Sequence, residues 1–307
     1  MMYFYLNVIS LLLLIIGLLI GVAFLTLMER KFLGYIQYRK GPNKIGLIGL
    51  FQPFSDAIKL FSKEKLFLLN LNLFLYLASP MMLFLGSLIL WFILPLFGGF
   101  FFFFFGFMFM FCIMSLSVYY IMMMGWSSGN VYGFLGGMRG VIQVISYEIS
   151  MIMFILVMLS FIMNFHFMDF FKVQLKIWLL FNFPLFLMLL SSLLSELSRT
   201  PFDFIEGESE LVSGFNIEFG GVLFTFIFLG EYLMIIFMSF LLSLLFMSSF
   251  WLNGWMIIKI MFFIMLIIWV RGSLPRYRYD KLMYLNWKIY LPISMNYLVF
   301  FFFLKLN

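Results

Sequence analysis

The sequence has almost nothing with which to build a metal site, a disulfide or a redox centre. Its 307 residues include one cysteine, Cys112, and one histidine, His166. A disulfide needs two cysteines, and haem, iron–sulfur and zinc sites are assembled mainly from several cysteine and histidine ligands. We therefore expect no disulfide framework, and no metal bound by this chain alone.

Charged residues are also scarce, at 10% of the chain, whereas 65% of the residues are apolar. Apolar runs of about twenty residues recur along the sequence, and about twenty helical residues span a hydrocarbon core of roughly 30 Å. Because a bilayer offers no hydrogen bonds to the backbone, only helices or closed barrels cross it. The runs are continuous rather than alternating, which favours helices. The composition predicts an all-α polytopic membrane protein, with no soluble domain long enough to fold alone.

Eight apolar segments are candidates for transmembrane helices, and together they make one transmembrane domain of residues 1–307. They lie at about 5–27, 72–96, 100–124, 140–163, 177–196, 219–247, 252–270 and 289–305. An even number of spans places both termini on the same side. We expect the first span to be a retained helix rather than a signal peptide, because no basic residue precedes it and no small-residue cleavage site follows.

Basic residues are concentrated on one side of this arrangement. Of the 19 lysines and arginines, 15 fall in four segments, at 29–65, 125–139, 197–218 and 271–288. By the positive-inside rule that side is the cytoplasm or, in a mitochondrion, the matrix. Both termini are then expected to face the opposite compartment.

The acidic residues are crowded where the chain has least room for them. One segment carries six acids and a single base, Arg199; the acids are Glu196, Asp203, Glu206, Glu208, Glu210 and Glu218. Moving a charge out of water is costly unless the group is paired, hydrogen-bonded or protonated. Crowded carboxylates at a membrane therefore indicate proton handling rather than packing.

Two further acids lie within predicted spans, Glu148 at a depth of roughly 12 Å and Glu231 at roughly 18 Å. A structural acid held by a hydrogen bond would explain either one. Intramembrane acids are costly, however, and usually mark ion or proton paths. We expect both acids to belong to such a path. Gln143 and Tyr147 lie on one face of the helix that carries Glu148.

Three polar loops are predicted on the basic side. Residues 50–61 repeat apolar side chains at helical spacing, which predicts an amphipathic surface helix, either a plain anchor or the roof of a cavity lined by Gln52 and Asp56. Residues 125–140 hold six glycines and are expected to form a loop, as a flexible connector or for close approach of the backbone to a partner. Residues 271–288 are basic, which favours contact with lipid headgroups and a polar network or docking surface at Arg276, Arg278 and Asp280.

An ordered series of motifs makes the sequence more specific. It comprises ERK at 29–31, GPN at 41–43, QPFSDAIKL at 52–60, ISYE at 145–148, RTPFDFIEGESELVSGFNIEF at 199–219 and RYRYDKLM at 276–283. Over essentially its full length the chain resembles the chain 1 family of NADH–ubiquinone oxidoreductase, a mitochondrially encoded membrane subunit of respiratory complex I. Where that family often reads ETNR, this chain has Glu196, Leu197, Ser198 and Arg199, so the acid and the arginine are kept and the hydrogen bonds of an asparagine amide at 198 are lost.

The resemblance implies a core subunit of a proton-pumping NADH:ubiquinone reductase, with eight spans and no redox centre of its own. Such a subunit forms the quinone chamber and the start of the path that couples quinone reduction to proton translocation. Ubiquinone is then the substrate, nothing is bound covalently, and NADH, FMN and iron–sulfur clusters belong to partner subunits. The implied location is the mitochondrial inner membrane, with the large polar loops toward the matrix and both termini toward the intermembrane space.

The implied site residues form two sets. The proton or charge path comprises Glu148, Glu196, Asp203, Glu206, Glu208, Glu210, Glu218 and Glu231. The lining or bracing of the quinone chamber comprises Arg30, Arg39, Gln52, Asp56, Arg139, Arg199, Arg276 and Arg278. The implied partners are the peripheral-arm subunits with the terminal iron–sulfur cluster, neighbouring small membrane subunits and membrane lipids, with no nucleic acid.

Three other functions remain in view. A stand-alone proton or cation transporter needs buried acids too, but the internal repeats common in transporters are not evident here. A membrane subunit of a related hydrogenase shares the fold and some motifs, without the quinone role. A purely structural anchor leaves Glu148, Glu231 and the acidic segment unexplained. Within the quinone hypothesis, we expect residues 198–218 to change conformation or protonation with the redox state of the quinone.

Overall fold

The computed structural model describes residues 2–64, 71–94, 103–174, 178–205, 207, 214–247 and 254–306. Across these ranges the secondary structure is helical, and no strand is formed. Seven helices are long and apolar enough to cross a membrane. The predicted class, an all-α polytopic membrane protein, is confirmed.

Twelve α-helices follow one another in the described ranges. They are α1 (Met2–Ile36), α2 (Gln52–Ser62), α3 (Leu73–Ile89), α4 (Gly106–Ser127), α5 (Val131–Ile162), α6 (Phe167–Val173), α7 (Trp178–Phe181), α8 (Phe183–Glu196), α9 (Val222–Phe246), α10 (Gly254–Ser273), α11 (Tyr279–Tyr284) and α12 (Leu291–Leu306). Short 3₁₀ turns lie at Leu47–Gly49, Leu90–Ile93 and Gly214–Glu218. A π-helical turn at Leu285–Tyr290 joins α11 to α12 without a break.

The predicted span at 177–196 corresponds to two consecutive helices, α7 and α8, rather than one. Pro184 lies in the first turn of α8, where its missing N–H is tolerated. Its ring is incompatible with the interior of a continuous helix, which explains the interruption next to Asn182. At about 1.5 Å per residue, α8 alone is roughly 21 Å long, so this segment needs both helices to approach the length of a full span.

The predicted loops are shorter than we expected, because helices extend into all three. Helix α1 continues to Ile36, so the ERK motif is helical, and the last loop reduces to residues 274–278. The prediction of a glycine-rich loop at 125–140 is wrong for most of its length. A side chain at Gly137 would lie 3.1 Å from the Cα of Gly125, and one at Gly136 would lie 3.0 Å from the Cα of Gly214. Close packing against neighbouring backbone therefore offsets the entropic penalty of about 0.5–1 kcal/mol per helical glycine.

Helix α2 confirms the predicted amphipathic surface helix near 50–61. Its apolar side chains Phe54, Ile58 and Phe61 are exposed, as expected of a helix that lies against lipid or another subunit. Phe54 packs edge-on against Phe24 of α1, with the ring centroids 5.9 Å apart. Helix α2 therefore lies across α1 and, through further contacts, against α9.

Helices α5 and α9 form the interior of the bundle. Helix α5 packs against α4, α8, α12 and the turn at Gly214–Glu218, while α9 packs against α3, α1, α10 and α2. In their apolar windows 61% of α5 and 67% of α9 is buried, against 11% for α1 and 6% for the span at Tyr279–Lys305. The first and last helices therefore present most of their surface to lipid or to other subunits.

Buried polar contacts fix the last helices on α5. The Tyr147 hydroxyl donates a hydrogen bond to the Leu282 carbonyl at 3.0 Å, and Asn286 Nδ2 donates to the Ser146 carbonyl at 2.5 Å. Asn286 lies in the π-helical turn, which directs its side chain into the bundle. At the other end of α5, Lys305 Nζ donates to the carbonyls of Ser160 and Phe161, both at 3.1 Å. These carbonyls belong to the last turn of α5, where the helix itself supplies no N–H donor to them.

The contact between α4 and α5 supplies the first prediction. Replacing Gly137 by valine places a branched side chain against the Gly125 backbone, whereas nothing lies within 4 Å of a Cβ at Gly17 of α1. Overpacking costs about 1–3 kcal/mol, so we expect Gly137→Val to lower the thermal denaturation midpoint and yield of the assembled protein. Gly17→Val is the matched control, because it makes the same change on an exposed face. Equal midpoints for the two variants would contradict the close packing.

Candidate functional site

A groove of about 630 Å³ opens between α1, α2 and α9. Part of its lining is apolar, with Val22 and Ala23 from α1 and Phe224 and Phe228 from α9. The remainder carries charged and hydroxyl groups, namely Thr26, Glu29, Arg30, Asp56, Lys59, Lys63, Thr225, Tyr232 and Arg271. A molecule with a long apolar part and a polar head would find a complementary surface for each.

Glu29 is the centre of the polar lining, and its side chain is 7% exposed. The Tyr232 hydroxyl donates a 2.6 Å hydrogen bond to Glu29 Oε2. Arg271 Nη1 makes an ion pair with Glu29 Oε1. A buried carboxylate needs such compensation, and here it comes from α9 and α10, so the hydrogen bond and the ion pair together join three helices.

Arg199 lies between two carboxylates and is almost completely buried. Its Nη1 is 3.9 Å from Glu29 Oε1, and its Nη2 is 3.4 Å from Glu231 Oε2. The guanidinium also lies over the Tyr232 ring, 4.9 Å from the centroid, where a cation is attracted by the aromatic face. Both ion-pair distances exceed the roughly 2.7–2.9 Å of a tight charge-assisted bond. Arg199 therefore contacts both Glu29 and Glu231, and its closer contact, a hydrogen bond, is to Glu231.

Glu231 also faces a second, internal cavity of about 60 Å³. Polar groups around this cavity come from several elements: Ser87, Ser117, Tyr120, Glu196, Ser198 and Glu231. One water needs roughly 10–15 Å³ and two to four polar partners. The cavity is therefore large and polar enough for several water molecules, which could link the carboxyl groups of Glu196 and Glu231.

Glu196 is the last residue of α8 and lines this cavity. Its Oε2 is buried, and no hydrogen bond from the described part of the chain reaches it. Glu148 of α5 is 9% exposed. The predicted acids Glu231 and Glu196 thus line one cavity, and Glu231 also pairs with Arg199.

A second polar contact joins α1 to α2. Arg30 Nη1 is 2.7 Å from Asp56 Oδ2, and Gln52 Nε2 donates to Asp56 Oδ1 at 2.9 Å. Arg30 and Asp56 line the groove. The structure thus brings three residues of the predicted chamber set to its rim.

Glu218 is held at the far end of the acidic segment. Its Oε1 accepts a 3.0 Å hydrogen bond from Asn130 Nδ2, and its backbone carbonyl accepts one of 2.7 Å from the Tyr76 hydroxyl. Asn130 also caps the N-terminus of α5 by accepting from the Tyr132 N–H. Glu218 therefore fixes the turn at Gly214–Glu218 to the start of α5.

The other predicted residues occupy varied positions. Asp203 and Arg139 are partly buried, and the Arg276 guanidinium lies 5.0 Å from the centroid of the Phe204 ring. Arg39 is exposed and donates to Gln37 at 2.9 Å, while Arg278 is 78% exposed and pairs with Asp280 at 3.0 Å. The structure does not place Arg39 or Arg278 in the groove lining. Glu206, Glu208 and Glu210 lie outside the described residues.

Three residues at the centre of the site were not among the predicted ones: Glu29, Tyr232 and Arg271. Arg271 was expected to contact lipid headgroups, but it pairs with buried Glu29 instead. The available signal was the position of Glu29 in the helical ERK motif, seven residues after Val22 on the same face of α1. Among the described residues, no three histidine, cysteine or carboxylate side chains are grouped as metal ligands would be.

Comparison with known proteins gives a consistent result over nearly the whole sequence. A family model described as NADH dehydrogenase matches residues 9–302. A protein of Locusta migratoria named NADH-ubiquinone oxidoreductase chain 1 is 52% identical over 303 residues, which is 98% of this chain and 96% of the relative. Proteins of the same name from Aedes aegypti and Metridium senile are 50% and 43% identical, covering 98% and 95% of this chain and 96% and 91% of their own lengths.

The burial of Arg199 generates the second prediction. Removing one partner of a buried ion pair costs about 3–5 kcal/mol, because the other charge remains buried, so Arg199→Met should lower the thermal denaturation midpoint strongly. Adding Glu231→Gln to Arg199→Met should recover part of the loss in a double-mutant cycle. Arg278→Met is the control, since exposed pairs are worth about 0–1 kcal/mol. An Arg199→Met variant as stable as the control would contradict the shared-cation geometry.

Proposed function

We propose that this chain, which belongs to the NADH dehydrogenase family and is a membrane subunit of NADH–ubiquinone oxidoreductase, forms part of the quinone-binding chamber of that complex. We further propose that it carries the start of the charge path that couples quinone reduction to proton translocation. The observation that carries this proposal is a continuous arrangement: an apolar groove, a buried ion cluster in its lining, and a cavity on which carboxyl groups converge.

The groove suits a quinone on chemical grounds. An isoprenoid tail is apolar and flexible, and the groove offers it Val22, Phe224 and Phe228 between the exposed helix α1 and the buried helix α9. A quinone headgroup presents carbonyl oxygens that accept hydrogen bonds. Arg30, Arg271 and Tyr232 are donors in the same lining. This chain then binds and orients the quinone, while electrons come from the terminal iron–sulfur cluster of a partner subunit.

The shared position of Arg199 suggests how a charge change in the groove is transmitted. Reduction of a quinone to a quinol takes up two electrons and two protons. A change of charge or hydrogen bonding at Glu29 alters its attraction for Arg199, which faces Glu231 with its other nitrogen. When Arg199 moves toward one carboxylate, the other loses compensation and its affinity for a proton rises. Glu231 then exchanges a proton with Glu196 through water in the cavity, and Glu148 of α5 is proposed to extend the path beyond it.

The remaining predicted acids, Asp203, Glu206, Glu208, Glu210 and Glu218, are proposed to extend this path on the polar side. Arg139, Arg276 and Arg278 are proposed to brace that side. Exposed apolar residues between α1 and α2, among them Tyr38, Leu47 and Phe51, are proposed to dock the peripheral-arm subunits, and neighbouring small membrane subunits and lipids are proposed to cover α1 and α12. We place the chain in the mitochondrial inner membrane, with this side toward the matrix and both termini toward the intermembrane space.

A stand-alone proton or cation transporter is the second candidate, because the carboxyl-lined cavity alone would serve one. The groove and the Arg199 cluster favour the quinone function, since a transporter needs no apolar cleft beside its charged groups. The two functions differ in whether quinone and partner subunits are required.

Photolabelling supplies the third prediction. A photoreactive quinone analogue with an isoprenoid tail should label residues 22–33, 53–61 or 224–232 of the chain in the assembled complex, and a quinone-site inhibitor should compete for the label. The isolated chain, reconstituted in vesicles, is the control and should move no protons or cations alone. Labelling that the inhibitor does not reduce, or ion transport by the isolated chain, would favour the transporter.

Neutralising acids at the internal cavity supplies the fourth prediction. In the assembled complex, Glu231→Gln or Glu196→Gln should lower coupled turnover by at least about tenfold, since positioned proton-transfer groups typically contribute about 100-fold or more. Asp169→Asn is the control, because Asp169 pairs with Lys172 at the start of α6, outside the cavity. Proton translocation and inhibitor-sensitive quinone reduction are measured together. Normal values of both in Glu231→Gln and Glu196→Gln would contradict the path.

A further inference from the structure

Gln143 is a fully buried residue of α5 that neither the groove nor the cavity uses directly. Its Nε2 donates two hydrogen bonds, one of 2.9 Å to the Ser195 carbonyl and one of 2.7 Å to the Phe202 carbonyl. These two carbonyls lie on either side of residues 196–201. A single side-chain amide therefore holds both ends of a short segment.

The segment between the two carbonyls carries the central groups of the proposed path. Glu196 begins it and faces the cavity, and Arg199 lies in its middle between Glu29 and Glu231. Its backbone is compact: the Arg199 N–H donates to the Leu194 carbonyl at 3.2 Å, and the Phe202 N–H donates to the Arg199 carbonyl at 2.8 Å. Ser198 adopts a left-handed conformation with φ of 47°, which persists only where the surroundings impose it.

Contacts with the loop after α10 hold the same segment from the other side. The Tyr277 N–H donates to the Pro201 carbonyl at 3.0 Å, and the Thr200 hydroxyl donates to the Arg271 carbonyl at 3.2 Å. Arg271 is also the ion-pair partner of Glu29. Gln143 differs from these contacts in bonding to both ends of the segment.

We propose that Gln143 is a positioning residue that fixes Glu196 and Arg199 relative to each other, and that residues 196–202 stay fixed during turnover. This inference rests on the proposed function, because it assigns a role within that charge path. Residues 198–202 are then excluded from the redox-linked change that we expect of residues 198–218. A fixed Arg199 backbone lets the guanidinium alone shift between Glu29 and Glu231.

The chemistry of the side chain explains why glutamine is suited to this position. An amide nitrogen carries two hydrogens and bears no charge, so it can donate to two buried carbonyls without adding a charge to the interior. The Ser195 carbonyl lies at the C-terminus of α8, where carbonyls lack partners within the helix. Methionine has a similar length but donates no hydrogen bond, and would leave both carbonyls without this donor.

Gln143→Met in the assembled complex tests the inference, with Ser150→Ala as the matched control. Ser150 is also fully buried on α5, but its hydroxyl bonds only to the Tyr147 carbonyl of its own helix. Per assembled complex, Gln143→Met should lower the rate of proton translocation coupled to quinone reduction by about tenfold to 100-fold, since a displacement of about 1 Å can cost that much in rate. The KM for quinone should stay near that of the unmodified complex, because the groove lining is intact.

A merely structural Gln143 would lower only the amount of complex, with normal coupling and KM in what assembles, and that result would overturn the inference. The path itself is tested separately by Glu196→Gln. Normal coupling in Glu196→Gln would contradict both the proposed function and this inference. Loss of coupling in Glu196→Gln with normal coupling in Gln143→Met overturns the positioning role alone.

Amide hydrogen exchange on the unmodified complex decides the question even where Gln143→Met fails to assemble. The N–H groups of Arg199 and Phe202 should exchange slowly, and equally so, in the oxidised complex, during turnover and with a quinone-site inhibitor bound. The exposed Asn164, in the loop between α5 and α6, serves as an internal reference for fast exchange. Release of protection at Arg199 or Phe202 during turnover would overturn the fixed segment.

Discussion

A guanidinium removed from water is the constraint on which the rest of this structure depends. Arg199 is 7% exposed, and a buried cation is tolerated only where carboxylates and aromatic faces compensate it. Compensation for Arg199 comes from Glu29 of α1 and from Glu231 and the Tyr232 ring of α9. Arg271 of α10 is a second cation, which pairs with Glu29. Three spans are thereby tied to one residue of the segment that follows α8. The stability of the bundle and the balance of its charges rest on the same contacts.

This cluster of charged residues lies between the groove and the internal cavity. Glu29, Tyr232 and Arg271 face the groove, whereas Glu231 faces the internal cavity with Glu196. Adjacent residues on a helix project about 100° apart. Glu231 and Tyr232 of α9 can therefore face different cavities, the first the internal cavity and the second the groove. The most buried spans, α5 and α9, supply the rigid frame, and α1 and α2 form the more exposed wall. A ligand in the groove between α9 and the wall formed by α1 and α2 therefore contacts Glu29, Tyr232 and Arg271 without entering the core.

Several elements could be predicted from residue pattern alone, and others could not. Apolar runs identify the spans, and the spacing of Leu50, Phe54, Ile58 and Phe61 identifies α2, because lipid and interface impose simple periodicities. The loop at 125–140 was predicted wrongly, since glycines at 125 and 137 signal either flexibility or close packing, and only the facing backbone distinguishes them. For Arg271, too, the local sequence does not identify the contact partner. Its neighbours in sequence suggest headgroups, but its partner lies 242 residues away.

By itself the sequence determined the class of the protein, its membrane spans, the scarcity and identity of its charged groups, and, through its motifs, the family it resembles. Only the tertiary structure decided which of those charges meet. Glu29, Arg199, Glu231 and Arg271 are distant along the chain, and so are Gln143 and the two carbonyls it holds. Hydrophobic burial specifies which segments lie in the membrane without distinguishing polar partners. Pairing of buried charges and hydrogen bonds requires specific distances, and these exist only after the helices have packed.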